Sequence, residues 1–190
     1  MSMAHDPLHL PSEIPAPVDD GGAAHLTGQV LSDVLLPSTD GGAVNLAQLP
    51  GRTVVYLYPR TGRPGEAPIA GWDAIPGARG CTPQSCSFRD HYSELKSMGV
   101  DRVFGLSTQD TNYQLEAARR LQLPFPILSD AELKLAGALN LPTFQVVGMT
   151  LHKRMALVID DGAISKVFYP VFPPDRNAEE VLAWLRSANT

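Results

Sequence analysis

Gly80-Cys81-Thr82-Pro83-Gln84-Ser85-Cys86-Ser87-Phe88-Arg89-Asp90 holds both cysteines of this 190-residue chain, five positions apart. Thr82 followed by Pro83 predicts a helix start, a hydroxyl cap and then a proline whose missing N–H has no partner to lose. Phe88, Tyr92 and Leu95 continue at helical spacing, and Gly99 stops the helix after Met98. Cys81 is thereby placed at a helix N-terminus, where free N–H groups and the positive dipole end favour negative charge on sulfur. Arg79 and Arg89 add positive charge nearby. A thiolate with a second cysteine one small rearrangement away is equipment for reducing peroxides.

Two other readings of the pair stand beside this one. A structural disulfide across so short a loop restrains the unfolded chain little. Cys81, Cys86 and His91 are evenly spaced, but structural zinc takes four ligands, commonly paired at closer spacing.

Working outward, Thr53–Tyr58 is a continuous apolar run bounded by Gly51 and Pro59, the pattern of a buried central strand. Val30–Leu36 and Val44–Leu46 flank Asp40-Gly41-Gly42 and predict a hairpin. Arg60–Arg79 is a long loop rich in Gly and Pro that nevertheless gathers Ile69, Trp72 and Ile75. Beyond the cysteine helix come a strand at Arg102–Leu106, a helix at Asn112–Leu121 with Leu115, Ala118 and Leu121 inward, and a short strand at Pro126–Leu128. A helix at Ala131–Leu139 follows, then a hairpin of Arg154–Asp160 and Ala163–Tyr169 around Asp161-Gly162, and a closing helix at Glu179–Ser187. Residues 1–25, with Pro7, Pro11, Pro15 and Pro17, form an extended acidic arm, either disordered or lying along a body of residues 26–190; its alternating Leu8, Leu10, Ile14 and Val18 favour docking. The order is α/β: a thioredoxin-like fold, a mixed central sheet flanked by helices, preceded by the N-terminal hairpin and arm.

Charge distribution excludes several classes. Residues 1–51 carry six acids and no Lys or Arg, whereas residues 52–190 carry fourteen acids and fifteen bases. No basic patch tracks phosphates, no apolar run approaches a membrane span, and neither a secretory nor a mitochondrial leader pattern occurs. A cytoplasmic protein without nucleic-acid or membrane partners is expected, its thiols reduced between turnovers.

The stretch Gly80–Asp90, placed after a strand ending in Tyr58-Pro59, resembles the peroxiredoxins, and among them the peroxiredoxin Q or bacterioferritin comigratory group. The resemblance runs from about Leu26 to the C-terminus. It implies a thiol peroxidase acting on hydrogen peroxide and organic hydroperoxides, with Cys81 as the attacking thiol and Cys86 as the resolving thiol of an intramolecular disulfide. A dithiol donor such as thioredoxin would recycle it, with no cofactor or metal, as a monomer or weak homodimer. Arg154, in Arg154-Met-Ala-Leu-Val-Ile159-Asp160, matches the arginine that hydrogen-bonds sulfur and peroxide in that family. Arg89 resembles a helix arginine that buttresses the site, with a salt bridge on the helix surface as the alternative, and His152 is assigned no role. Pro59 fits the family proline, but the family threonine three residues before the cysteine is replaced by Ala78, and Cys81 stands twenty-two positions after Pro59 where seven are usual. Thr61 is the hydroxyl that stands in if the inserted loop bulges away. The alternatives are a thioredoxin-like disulfide reductase and a redox-sensing or metal-binding module. The reductase would want Cys-x-x-Cys and a proline just before the penultimate strand, and Leu151–Arg154 has none.

Overall fold

The computed structural model describes residues 8–188. Its strands are β1 (Leu35–Pro37), β2 (Ala43–Asn45), β3 (Arg52–Leu57), β4 (Arg102–Ser107), β5 (Ile127–Ser129), β6 (Thr143–Val146), β7 (Met149–His152), β8 (Met155–Asp160) and β9 (Ala163–Phe168). The α-helices are α1 (Cys81–Asp90), α2 (Tyr92–Ser97), α3 (Thr111–Arg120), α4 (Lys134–Leu139) and α5 (Asn177–Ala188).

The central sheet has the order β5-β4-β3-β8-β9. β3, β4 and β5 run parallel, while β8 is antiparallel to β3 and β9 antiparallel to β8. Side chains alternate across a strand, so β3 sends Val55 and Leu57 to one face and Val54 and Tyr56 to the other. Both faces are covered. The first packs on Leu135 and Leu139 of α4 and on Leu26 and Leu36; the second packs on Phe88, Leu95, Val181, Leu182 and Leu185. Burial on both faces is the reason Thr53–Tyr58 reads as an unbroken apolar run. The architecture is the expected mixed thioredoxin-like sheet with flanking helices.

Several boundaries differ from the sequence reading. The hairpin pairs Leu35–Pro37 with Ala43–Asn45, and Val30 instead makes a separate bridge to Ala163. The cysteine helix does not run unbroken to Met98: it breaks at His91, whose Nδ1 engages the Ser87 carbonyl at 2.9 Å. In α3 the fully covered residues are Gln114 and Ala117, because the Gln114 Nε2 donates to Ser107 Oγ and to the Leu128 carbonyl at the strand ends. α4 begins at Lys134 rather than near Ala131, since the Asp130 carboxylate accepts from Leu135 and Ala136 N–H and fixes the start there. The β6–β7 hairpin, turned at Val147-Gly148 with both φ positive, has no counterpart in the sequence reading.

The arm's first seven residues lie outside the described ones; residues 8–25 run along the body. Leu10 and Ile14 are half-buried, whereas Leu8 and Val18 stay exposed. Asp20 accepts from Lys153 Nζ at 2.6 Å and from the Tyr169 hydroxyl at 2.7 Å. The lysine and tyrosine together hold its carboxyl well below the usual range. The His9 carbonyl accepts from Arg79 Nη2 at 3.2 Å. The arm thus passes beside the start of α1.

Candidate active site

Gly80, not Thr82, caps α1. Its φ of 109° is a left-handed conformation, and a Cβ there would fall 2.2 Å from Pro174 Cγ and 3.0 Å from Leu10 Cδ2. Cys81 is therefore the first helical residue, with Thr82 and Pro83 inside the first turn. Its side chain is almost covered, at 4% exposure, and opens on a cleft of about 40 Å³ lined by Arg60, Thr61, Gly62, Trp72, Arg79, Gly80 and Thr82.

Two donors converge on Cys81 Sγ. The Arg60 main-chain N–H donates at 3.4 Å and Arg154 Nη2 at 3.3 Å. As a thiol, Cys81 points its S–H at the Ala78 carbonyl, 3.6 Å away. Negative charge developing on sulfur meets one full and one partial positive charge here, in a site with little water to screen them.

Arg154 is itself 3% exposed, and its position is over-determined. Nη1 donates to Gln84 Oε1 at 2.5 Å, and Gln84 Nε2 donates to Asn177 Oδ1 at 2.9 Å, linking the guanidinium through α1 to the first residue of α5. Nη2 also faces the carbonyls of Gly77, Ala78 and Arg79 at 3.1–3.2 Å. The last residues of the Arg60–Arg79 loop thus wrap the arginine with carbonyl dipoles. These acceptors around the two terminal nitrogens are what make the buried guanidinium tolerable, although its Nε is left without a partner.

Thr61 is 2% exposed and lines the same cleft as Cys81. Gln109 pins it: Oε1 accepts from Thr61 N–H at 3.1 Å and from its hydroxyl at 3.2 Å, and Nε2 donates to the Thr61 carbonyl at 3.0 Å. With its proton given to Gln109, the Thr61 hydroxyl keeps lone pairs to accept from a molecule in the cleft. Pro59 is buried between β3 and these two residues in sequence, turning the chain so that Arg60 N–H aims at the sulfur. Ala78 contributes its carbonyl to the site.

Cys86 lies five residues along α1 and is half-buried; both cysteines are free. Burial pushes its thiol up, with Arg89 acting in the opposite direction. Position 86 on a regular helix stands roughly 8–9 Å from position 81 between Cα atoms. Ser85, between them, has its hydroxyl 3.0 Å from that of Tyr56, whose ring stacks on Phe88 with centroids 4.5 Å apart. Gly105 makes room for that ring, since a Cβ there would sit 2.8 Å from the Tyr56 hydroxyl.

One expectation shifts. Arg89 donates to Asp90 and to the Leu121 carbonyl, tying α1 to the end of α3 rather than buttressing the sulfur. His152, to which no role is assigned, is fully buried at the end of β7, with Nε2 3.1 Å from Asp130 Oδ2. Among the described residues no cluster of His, Cys, Asp and Glu is placed to hold a metal ion. Gln84, Gln109 and Asn177 were not legible as site residues. An isolated amide side chain carries no spacing signal, and only the fold shows that each is buried.

The Redoxin family model matches residues 24–182. The chain is 32% identical over 163 residues to the chloroplastic peroxiredoxin Q of Gentiana triflora, covering 85% of this chain and 67% of that protein. It therefore spans about two thirds of the length of such plant relatives. Against peroxiredoxin Bcp of Escherichia coli (strain K12) it is 32% identical over 166 residues, covering 84% of this chain and 94% of the relative. The solved structure of peroxidoxin BcpB from Mycobacterium tuberculosis superposes with a TM-score of 0.69 at 27% identity, covering 87% of this chain and all of that one. With Cys81 at the start of α1, Arg154 against its sulfur and these matches across most of its length, the chain belongs to the peroxiredoxins of the Redoxin family, in the peroxiredoxin Q/Bcp group.

Proposed function

We propose that this protein is a thiol-dependent peroxidase in which Cys81 attacks peroxide and Cys86 resolves the product. The observation that carries the reading is the convergence of Arg60 N–H and Arg154 Nη2 on Cys81 Sγ inside a cleft sized for a very small molecule. The Cys81 thiolate attacks the terminal oxygen of R–O–O–H. An S–O bond forms and the O–O bond breaks; the departing oxygen takes a proton and leaves as water or an alcohol, and sulfur is left as sulfenic acid. Arg154 stabilises the charge as it moves from sulfur to the leaving oxygen, and Thr61 accepts from the peroxide O–H and orients it. Cys86 then attacks the sulfenic sulfur, releasing water and forming an intramolecular disulfide. An external dithiol such as thioredoxin reduces that bond and is itself oxidised.

The remaining parts of the reading are a cytoplasmic setting, a monomer or weak homodimer, and a body of residues 26–190 carrying the arm. Among the described residues no helix is long and apolar enough to cross a membrane.

A coupled assay tests the function: peroxide consumption with thioredoxin and its reductase, run beside insulin reduction and stoichiometric metal uptake. Thioredoxin-driven turnover of peroxide with neither of the other two activities is expected. Insulin reduction without peroxide turnover would establish the disulfide reductase instead.

A further inference from the structure

The Arg60–Arg79 loop does more than seat Arg154. Its first half encloses a cavity of about 120 Å³ lined by Arg60, Gly62, Arg63, Glu66, Ile69 and Trp72, together with Pro64, Gly65, Ala67 and Pro68. The cavity shares Arg60, Gly62 and Trp72 with the Cys81 cleft, so the two adjoin.

The charges of this cavity are unusual. Arg60 and Arg63 both lie against the Tyr113 ring, with guanidinium carbons 5.2 and 4.1 Å from its centroid. Arg60 also donates to Met149 Sδ and to the Tyr113 hydroxyl. Among the described residues, no carboxylate lies within ion-pair distance of either guanidinium. The one acid of the lining, Glu66, is engaged by the Tyr113 hydroxyl at 2.6 Å. Arg63 Nε is buried and has no hydrogen-bond partner. Arg79, by contrast, is paired with Asp73. Two guanidinia brought together on one ring repel each other, and neither has a carboxylate among the described residues to offset its charge. A planar carboxylate answers both, since it matches the guanidinium fork and neutralises one charge. Ile69 and Trp72 supply the apolar wall that a short carbon chain would lie against.

We propose that the inserted loop is a substrate-selecting element, and that Arg63, supported by Arg60, binds the carboxylate of small hydroperoxides whose O–O–H group reaches Cys81. The inference rests on the peroxidase reading. The reaction is the one already given, with the leaving alcohol now a hydroxy acid that keeps its carboxylate. The volume excludes bulky tails and favours short-chain acids.

The test uses the full chain and three peroxides: hydrogen peroxide, a short hydroperoxy acid and its methyl ester. The acid is expected to exceed the ester in kcat/KM by about tenfold, the worth of one charge-assisted contact. That gap should shrink as salt is added. Arg63→Gln should bring the acid-to-ester ratio close to one, and Arg63→Lys should restore part of it. Calorimetric binding of the product hydroxy acid, compared between wild type and Arg63→Gln, reads the subsite without turnover. Equal rates on acid and ester in the wild type, or a ratio and a hydroxy-acid affinity both indifferent to Arg63→Gln, would overturn the inference. Hydroxy-acid binding that depends on Arg63 in a protein reducing none of the three peroxides would leave the subsite standing and remove the peroxidase reading.

Discussion

Gln109 grips Thr61 by both of its main-chain polar groups, donating to the carbonyl at 3.0 Å and accepting from the N–H at 3.1 Å, as a neighbouring strand would. This grip places a hydroxyl beside Cys81 although the residue three positions before the cysteine is Ala78. A long insertion between proline and cysteine is compatible with the site because Thr61 is held from α3's approach, not by its own sequence neighbours.

Gln109→Ala should lower kcat/KM for hydrogen peroxide by about tenfold, the scale of losing oriented hydrogen bonds in a covered site. Thr61→Val should cost a similar factor. The double variant should lose little more than either single one, since both act through one hydroxyl. Stopped-flow peroxide kinetics read the rates, and unchanged far-UV circular dichroism confirms the fold. Additive losses would show that Gln109 acts elsewhere.

Arg154→Lys keeps the charge but cannot bridge Gln84 Oε1 and Cys81 Sγ at once. The peroxide step should slow by about a hundredfold, within the range for removing a transition-state charge partner. A wild-type rate in a folded Arg154→Lys protein would remove Arg154 from the chemistry.

Cys81→Ser should abolish peroxide reduction, while Cys86→Ser should complete one fast turnover and then fail to recycle with thioredoxin. A disulfide needs Cα atoms closer than about 7 Å, and α1 holds the two cysteines farther apart than that. Oxidation must therefore unwind the first turn of α1, pulling Gly80 away from Leu10 and Pro174. The oxidised protein should run as a monomer on a non-reducing gel and lose helical signal. A predominance of disulfide-linked dimer would contradict this.

Resolution should speed up with rising pH. Cys86 must attack as thiolate, yet burial holds its thiol above the ordinary value. At neutral pH only a small fraction is ionised, so the rate climbs through the alkaline range until that raised value is passed. Sequential-mixing kinetics of disulfide formation after one peroxide equivalent give the profile. A rate already level at neutral pH would mean that the thiol is freed and ionised before it reacts.

Trp72 lines the Cys81 cleft and packs against Phe144 of β6, their ring centroids 6.4 Å apart. Its fluorescence should change on adding peroxide, with Trp184→Phe removing the second tryptophan, which lies against Phe168 far along α5. A signal indifferent to oxidation would separate the loop from the rearrangement.

Gly80–Asp90 and Thr53–Tyr58 carry their meaning locally: a helix start beside a cysteine, and an apolar run that only a doubly covered strand satisfies. The closing hairpin is equally legible, because Asp161-Gly162 both lie at positive φ and that turn chemistry is written in the residues. From these the sheet, its central strand and the two thiols followed. Tertiary structure alone decided the rest. Gly80 became the cap because Pro174 and Leu10, distant in sequence, leave no room for a Cβ. Gln84, Gln109 and Gln114 became buried anchors because Arg154, Thr61 and the ends of β4 and β5 presented partners to them. An amide side chain is suited equally to solvent and to a satisfied interior, so no local pattern separates the two, and the partner that decides lies on another element, 70 residues away for Gln84 and 48 for Gln109.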